Sequence, residues 1–305
     1  MTPNNPFSDQ VRLLVTLLPH VARQRCFALK GGTALNLFIR DMPRLSVDID
    51  LAYLPVQDRE TSLTSIHHAL KAIAGDITRT VPGANVSGSA LSGTSTWCKL
   101  VVAQDEVRVK IEVTPVLRGS VYPSTVRELM PRAQAEFGYA EMQILSFEDL
   151  YAGKFCAALD RQHPRDLFDV RLLLSNEGIS GRLKDAFLVY LISHNRPMAE
   201  LLSPTRKDIK ATYESEFSGM TIDQIALELL EAAREQLITT ILQMLMEEDR
   251  RFLLAVKRGD AAWNTFAIPE AQHLPAVRWK LHNLSLMETG KRQKALRSLE
   301  RVLYG

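Results

Sequence analysis

Asp48 and Asp50 stand two residues apart in Val47-Asp48-Ile49-Asp50-Leu51-Ala52-Tyr53, which alternates polar and apolar residues before Pro55 stops it. Side chains at i and i+2 of a strand share a face, so both carboxylates point the same way. Glu112 lies in a second alternating stretch and would reach the same sheet edge. Carboxylates gathered on one face raise each other's pKa. A divalent cation with hard oxygen ligands relieves this, which points to Mg2+, with Mn2+ as a substitute. Two or three acids plus substrate phosphates would serve one or two such ions in an in-line phosphoryl displacement. Taken alone, an Asp-x-Asp is as readily the solvated face of a strand. Lys110, on the same face as Glu112, offers that acid the alternative of a surface ion pair.

The residues upstream favour the chemical reading. Lys30-Gly31-Gly32-Thr33-Ala34-Leu35 reads as a strand end, a glycine turn and a helix start. Glycines let backbone approach a phosphate closely, and the free N–H groups of a new helix favour an anion. Thr33 is also placed to cap that helix. A second cluster follows far downstream. Lys154 interrupts the small and apolar run Leu150-Tyr151-Ala152-Gly153-Lys154-Phe155, where a lysine requires an anion. Then come Arg161, His163-Pro164-Arg165-Asp166 and Asp169, with Pro164 in a helix's first turn and the two aspartates on one face. Pairing among Arg161, Asp166 and Asp169 near a helix N-terminus is the structural alternative.

Positioning these groups requires particular elements. The spacing predicts a helix over 9–24 with Ser8 as its cap, a strand over 27–30, a helix over 33–40 and a strand over 47–53. A helix over 58–74 and a hairpin of strands 97–103 and 107–116 follow. From Ser146 onward helices dominate, at about 146–161, 164–176, 181–193, 221–247, 249–258 and 275–304. The expectation is an α+β chain: a mixed sheet flanked by helices in a catalytic domain, 1–140, and a helical domain, 141–305, that completes the active site.

With 46% apolar residues, 24% charged and a formal net charge of +2, the 305-residue composition is that of a globular protein. It announces no nucleic-acid binder on bulk charge. No apolar run approaches the ~18 residues of a membrane span. Met1-Thr2-Pro3-Asn4-Asn5-Pro6 lacks the basic-then-apolar layout of an export signal. Cys26, Cys98 and Cys156 have no pairing arithmetic that closes and read as reduced thiols. Soluble and cytoplasmic is the expectation. His67-His68 belong to no zinc spacing. Basic residues crowd the C-terminal segment around Lys257-Arg258, Arg278-Trp279-Lys280 and Lys291-Arg292, either a solvated helix face or a surface for RNA phosphates.

Lys30-Gly31-Gly32-Thr33-Ala34-Leu35 followed by Arg44-x-Ser46-x-Asp48-Ile49-Asp50-Leu51 resembles the AbiEii/AbiGii-type toxins. These belong to the DNA polymerase beta-like nucleotidyltransferase superfamily and include the mycobacterial MenT toxins. The resemblance implies that Gly31, Gly32 and Thr33, flanked by Lys30 and Ser46, bind nucleotide phosphates. It makes Asp48 and Asp50 metal ligands, with Glu112 a third acid that toxins of this type do not all keep. Lys154 would neutralise phosphate charge, and Asp166 would activate the acceptor hydroxyl or organise the site, with Arg165 and Asp169 in support. The implied substrates are an NTP and an RNA acceptor such as tRNA, and the implied partner is a cognate antitoxin in a toxin–antitoxin or phage-defence pair. A protein-nucleotidylating enzyme on the same fold, or a non-catalytic binder, are the alternatives.

Overall fold

The apolar stripe Val11, Leu14, Leu18 and Val21 is fully buried, and it forms the inner face of α1 (Pro6–Ala22). The helix starts upstream of Ser8, which therefore lies inside its first turn and is not a cap. The computed structural model describes residues 6–305. The polar segment 1–5, on which the expectation of no export signal bears, lies outside the described residues.

The described chain divides into two compact units, 6–146 with 219–224, and 147–218 with 225–305. Residues 141–146 and 219–224 thus lie with the first unit, where a division at 140/141 places them in the helical half.

The first unit is built on a seven-stranded sheet. At its centre β1 (Phe27–Lys30) runs antiparallel to β2 (Asp48–Tyr53), the two strands lying close to the predicted ranges. Beyond β2 lie β5 (Val107–Arg118), parallel to it, then β4 (Trp97–Gln104) and the edge strand β3 (Asn85–Ala90). On the other side β1 meets β7 (Glu141–Ile144) in parallel, and β6 (Thr125–Glu128) forms the far edge. The predicted hairpin is β4–β5, closed at Asp105-Glu106. Strands β3, β6 and β7 are not among the predicted elements; the edge strands β3 and β6 bury too little to write a period, all four residues of β6 being exposed, and β7 buries only Met142 and Ile144.

Between β1 and β2 the chain forms a short α2 (Gly31–Thr33) that runs directly into a π-helical segment, Ala34–Ile39. Helix α3 (Arg59–Thr80) is capped by Asp58, which accepts from Thr61 N at 2.9 Å, and runs six residues beyond its predicted end. A shorter α4 (Pro131–Phe137) follows β6. The stretch 219–224 joins this unit through backbone bonds from Leu45 N to Met220 O (2.8 Å) and from Ile222 N to Pro43 O (3.2 Å).

The second unit is helical. Its first helices are α5 (Phe147–Asp160), α6 (Pro164–Asn176) and α7 (Gly181–Ser193), close to prediction. Two short helices follow, α8 (Met198–Leu202) and α9 (Lys210–Glu216), then α10 (Leu227–Met244) and α11 (Glu247–Arg258). Helix α10 begins six residues later than predicted because 219–224 is committed elsewhere. The single helix expected over 275–304 is two, α12 (Pro275–Ser285) and α13 (Thr289–Tyr304). Glu288 starts α13 by accepting from Gly290 N (2.7 Å) and Lys291 N (2.9 Å). Among the described residues no helix is long and apolar enough to cross a membrane.

Candidate functional site

The turn after β1 is where glycine is required. Gly31 has φ +72°, and a Cβ there would sit 2.8 Å from Asp50 Oδ2. A Cβ on Gly32 would meet Arg44 Nη2 at 2.7 Å and Ser46 Oγ at 2.8 Å. The missing side chains therefore form a cradle between the Asp50 carboxylate on one side and the Arg44–Ser46 pair on the other. Thr33 does not cap the helix. Its hydroxyl donates to Asp48 O at 2.5 Å and lies 3.0 Å from Ser46 Oγ. Since Thr33 has one proton, the Ser46 hydroxyl is the donor in that second contact. Thr33 and Ser46, both buried, thus tie the glycine turn to the start of β2. Lys30 faces Asp50 directly across the β1–β2 pair.

The acids lie as the strand periodicity predicts. Asp50 is in register with Glu112, and Asp48 with Lys110, on the parallel pair β2–β5. Val109, Ile111 and Val113 are buried beneath, so Lys110 and Glu112 are the outward residues of β5. Lys110 Nζ stands 3.3 Å from Glu112 Oε2 and 3.9 Å from Asp48 Oδ1. Burial works against the charged lysine, but Asp48, Glu112 and Asp50 outweigh it and raise its pKa. Lys110 is therefore an internal counterion, and part of the repulsion that would call for a metal is already offset. Among the described residues no three His, Cys, Asp or Glu side chains converge as a cation cage. Asp48 and Asp50 by themselves fit a hard divalent ion. Both are carboxylates on one face, Asp48 is 37% exposed at its side chain, and the absence of a Cβ at Gly31 lets the Asp50 carboxylate lie against the turn.

In the second unit Lys154 does have its anion, and the anion comes from this chain. Its ammonium lies 2.8 Å from Asp166 Oδ1 and 3.0 Å from Asp169 Oδ2, with all three side chains no more than 6% exposed. Arg161 adds bonds from Nε to Asp166 Oδ2 (2.5 Å) and from Nη2 to Oδ1 (3.0 Å) while remaining largely exposed itself. Burial pushes Asp166 upward, yet the Lys154 and Arg161 cations win and hold its pKa far below the usual carboxylate range. The α5–α6 reversal that permits this passes through Gln162 at φ +55°, with His163 capping α6 by accepting from Arg165 N at 3.1 Å. The Arg165 guanidinium is 3.5 Å from Glu216.

A glycine cradle beside paired carboxylates on a mixed sheet gains meaning from comparison. The model of the family described as nucleotidyl transferase AbiEii toxin, type IV TA system, matches residues 12–283. The chain belongs to this AbiEii family. It is accordingly a nucleotidyltransferase of the toxin class of type IV toxin–antitoxin systems. Among solved structures it is similar to MenT4, a nucleotidyltransferase toxin from Mycobacterium tuberculosis H37Rv, with a TM-score of 0.60. The match covers 92% of this chain and 95% of that one at 17% identity, a likeness of fold. No curated protein matches the sequence.

The structure gathers Lys30, Gly31, Gly32, Thr33, Ser46, Asp48, Asp50 and Glu112 in the first unit, and Lys154, Asp166 and Asp169 in the second. Two further residues, Arg44 and Asn36, take roles that their place in the sequence does not announce. Arg44 is 2% exposed and donates to Leu45 O at 2.8 Å while its guanidinium walls the cradle. Asn36 Nδ2 fixes the turn by donating to Gly32 O at 2.9 Å. The one available signal is the Arg44, Ser46, Asp48 spacing, which places all three on one side of an extended chain. His67 is also explained: its Nδ1 accepts from Trp97 N at 3.0 Å, a structural duty.

Proposed function

We propose that this chain moves a nucleoside monophosphate from an NTP to an RNA, with tRNA the leading acceptor, releasing pyrophosphate. It would do so in the cytoplasm as the toxin of a pair restrained by a cognate antitoxin. The observation that carries the reading is the Gly31–Gly32 cradle. It presents the start of a helical segment whose lack of side chains lets the Asp50 carboxylate, Arg44 and Ser46 close in on the backbone. Backbone N–H groups at such a start donate to phosphate oxygens. Lys30, across from Asp50, adds positive charge there, and Arg44 with Ser46 holds the cradle's other wall. Asp48 and Asp50 would hold a divalent cation, Mg2+ or Mn2+, whose charge would offset that of the triphosphate and of the departing pyrophosphate. Glu112 serves Lys110 in this scheme and stands outside the ligand pair.

Asp166 acts by positioning. A fully buried carboxylate gripped by Lys154 and Arg161 is a poor base, so it orients those cations and leaves proton transfer to other groups. Arg165 and Asp169 support the same arrangement.

The test is incubation of the purified protein with each labelled NTP in turn, Mg2+, total tRNA and cell protein. Label in tRNA with wild type and none with Asp48→Asn supports the reading. Label in protein alone replaces RNA as the acceptor class. No label with any NTP reduces the chain to a nucleotide binder.

A further inference from the structure

Strands β2, β5, β4 and β3 stand side by side, and their registers line up in two rows. Asp50 is opposite Glu112, Glu112 opposite Lys99, and Lys99 opposite Ser89. The second row runs Asp48, Lys110, Val101 and Ser87. Side chains in register across a sheet share a face, so both rows lie on the face that carries Asp48 and Asp50. The other face holds Leu100, Val102, Val109, Ile111 and Val113, all buried, and α1 and α3 pack against these strands. No residue of either row is buried.

The glycine turn follows β1, so the nucleotide cradle lies on the β1 side of the Asp pair. The two rows leave on the opposite side, across β5 and β4 to the edge strand. With strands about 4.8 Å apart, they extend ~14 Å beyond β2. An acceptor hydroxyl must reach the Asp pair while a triphosphate fills the cradle, and the rows offer a way in that the cradle does not occupy. Their charge suits an anionic chain. Strands β3 and β4 contain no Asp or Glu. Lys110 answers Glu112 and Asp48, whereas no hydrogen bond or ion pair holds Lys99 among the described residues. Arg108, two residues before Lys110 on the same strand face, is exposed and adds a second cation. Beyond the acids the track is therefore cationic, with an apolar step at Val101 and serine hydroxyls at its edge. Phosphates, a sugar or base surface and 2′-hydroxyls of an RNA strand match these groups. A flat path of this kind fits a single strand.

We propose that the β5–β4–β3 face is the docking track for the single-stranded end of the RNA acceptor, with Lys99 on a backbone phosphate. The assignment rests on the RNA acceptor proposed above. Fluorescence anisotropy of labelled tRNA without NTP, across a salt series, is followed by transfer kinetics. Wild type is compared with Lys99→Gln, Ser89→Glu and Lys294→Gln, the last an exposed residue of α13. Lys99→Gln should bind tRNA roughly fivefold more weakly, with a salt slope shallower by about 0.7, the share of one single-strand phosphate contact. Ser89→Glu should weaken binding through like-charge repulsion. In both, KM for tRNA should rise while KM for NTP and the melting temperature stay at wild-type values, because neither side chain is buried. Lys294→Gln should match wild type. Unchanged tRNA affinity in Lys99→Gln and Ser89→Glu overturns the track, and so does an equal loss in Lys294→Gln, which would reduce the effect to net charge. A rise in KM for NTP in Lys99→Gln also overturns it, placing that lysine at the nucleotide. Wild type that labels protein alone removes the RNA acceptor and the track with it. Wild type that labels tRNA, while both track variants do so with unchanged KM, keeps the acceptor and rejects the track.

Discussion

Lys154, Asp166 and Asp169 show how far a single residue's meaning depends on its neighbours. A lysine in an apolar helix requires an anion, and here two aspartates from the next helix provide it at 2.8 and 3.0 Å. Removing one member of such a buried group leaves a charge unanswered, at about 3–5 kcal/mol. Asp166→Ala should therefore lose roughly that much stability in urea denaturation at neutral pH. The pH dependence has a definite sign. The folded-state pKa of Asp166 is depressed, so the stabilisation is fully present above the unfolded value of about 3.9 and is lost as pH falls below it. Wild type should weaken in that acid range, and Asp166→Asn, starting from a lower plateau, should show a flatter profile there. A variant that weakens in parallel with wild type would remove Asp166 from the account of acid stability.

At the scale of elements, the glycine turn and β2 act as one piece. Gly31 has positive φ and packs against Asp50, whereas Gly75 lies inside α3 with nothing within 4 Å of the place a Cβ would take. Adding a methyl at the two places should have opposite effects. Gly31→Ala should cost about 1–2 kcal/mol for the left-handed backbone alone and displace the Asp50 carboxylate, abolishing transfer. Gly75→Ala should stabilise the chain by about 0.5–1 kcal/mol and leave transfer intact. Thermal melts with the labelled-transfer assay check both, and a Gly31→Ala protein of full activity would mean the cradle does not need the close approach of Asp50 to the turn. The edge strands show why some elements leave no trace in the sequence. Strand β6 has four exposed residues and β3 buries none fully, so neither writes a hydrophobic period into the sequence. Backbone pairing with neighbours alone defines them.

For the molecule as a whole, membership in a toxin family makes growth inhibition the readout. Asp48→Asn should leave the melting temperature close to that of wild type, because Asp48 is partly exposed and Lys110 retains Glu112. It should nonetheless relieve growth arrest on expression, and a fully toxic variant would rule out transfer through this site. The net charge of +2 conceals the basic C-terminal region because acids elsewhere balance it. What the sequence by itself determined is local. Glycines before a helix, carboxylates at strand spacing and the 3.6-residue periods of α1, α5, α6 and α7 each express physics acting within a few residues. Tertiary structure alone decided the partners. It put Lys110 among the acids, set Arg44 against Gly32, brought 219–224 to Leu45, gave Lys154 its aspartates and carried Lys280 to the carbonyls just past α7. A charge acts on whatever the fold brings within a few ångströms of it. Except for neighbours one helical turn or one strand repeat away, that distance is not recorded in sequence spacing.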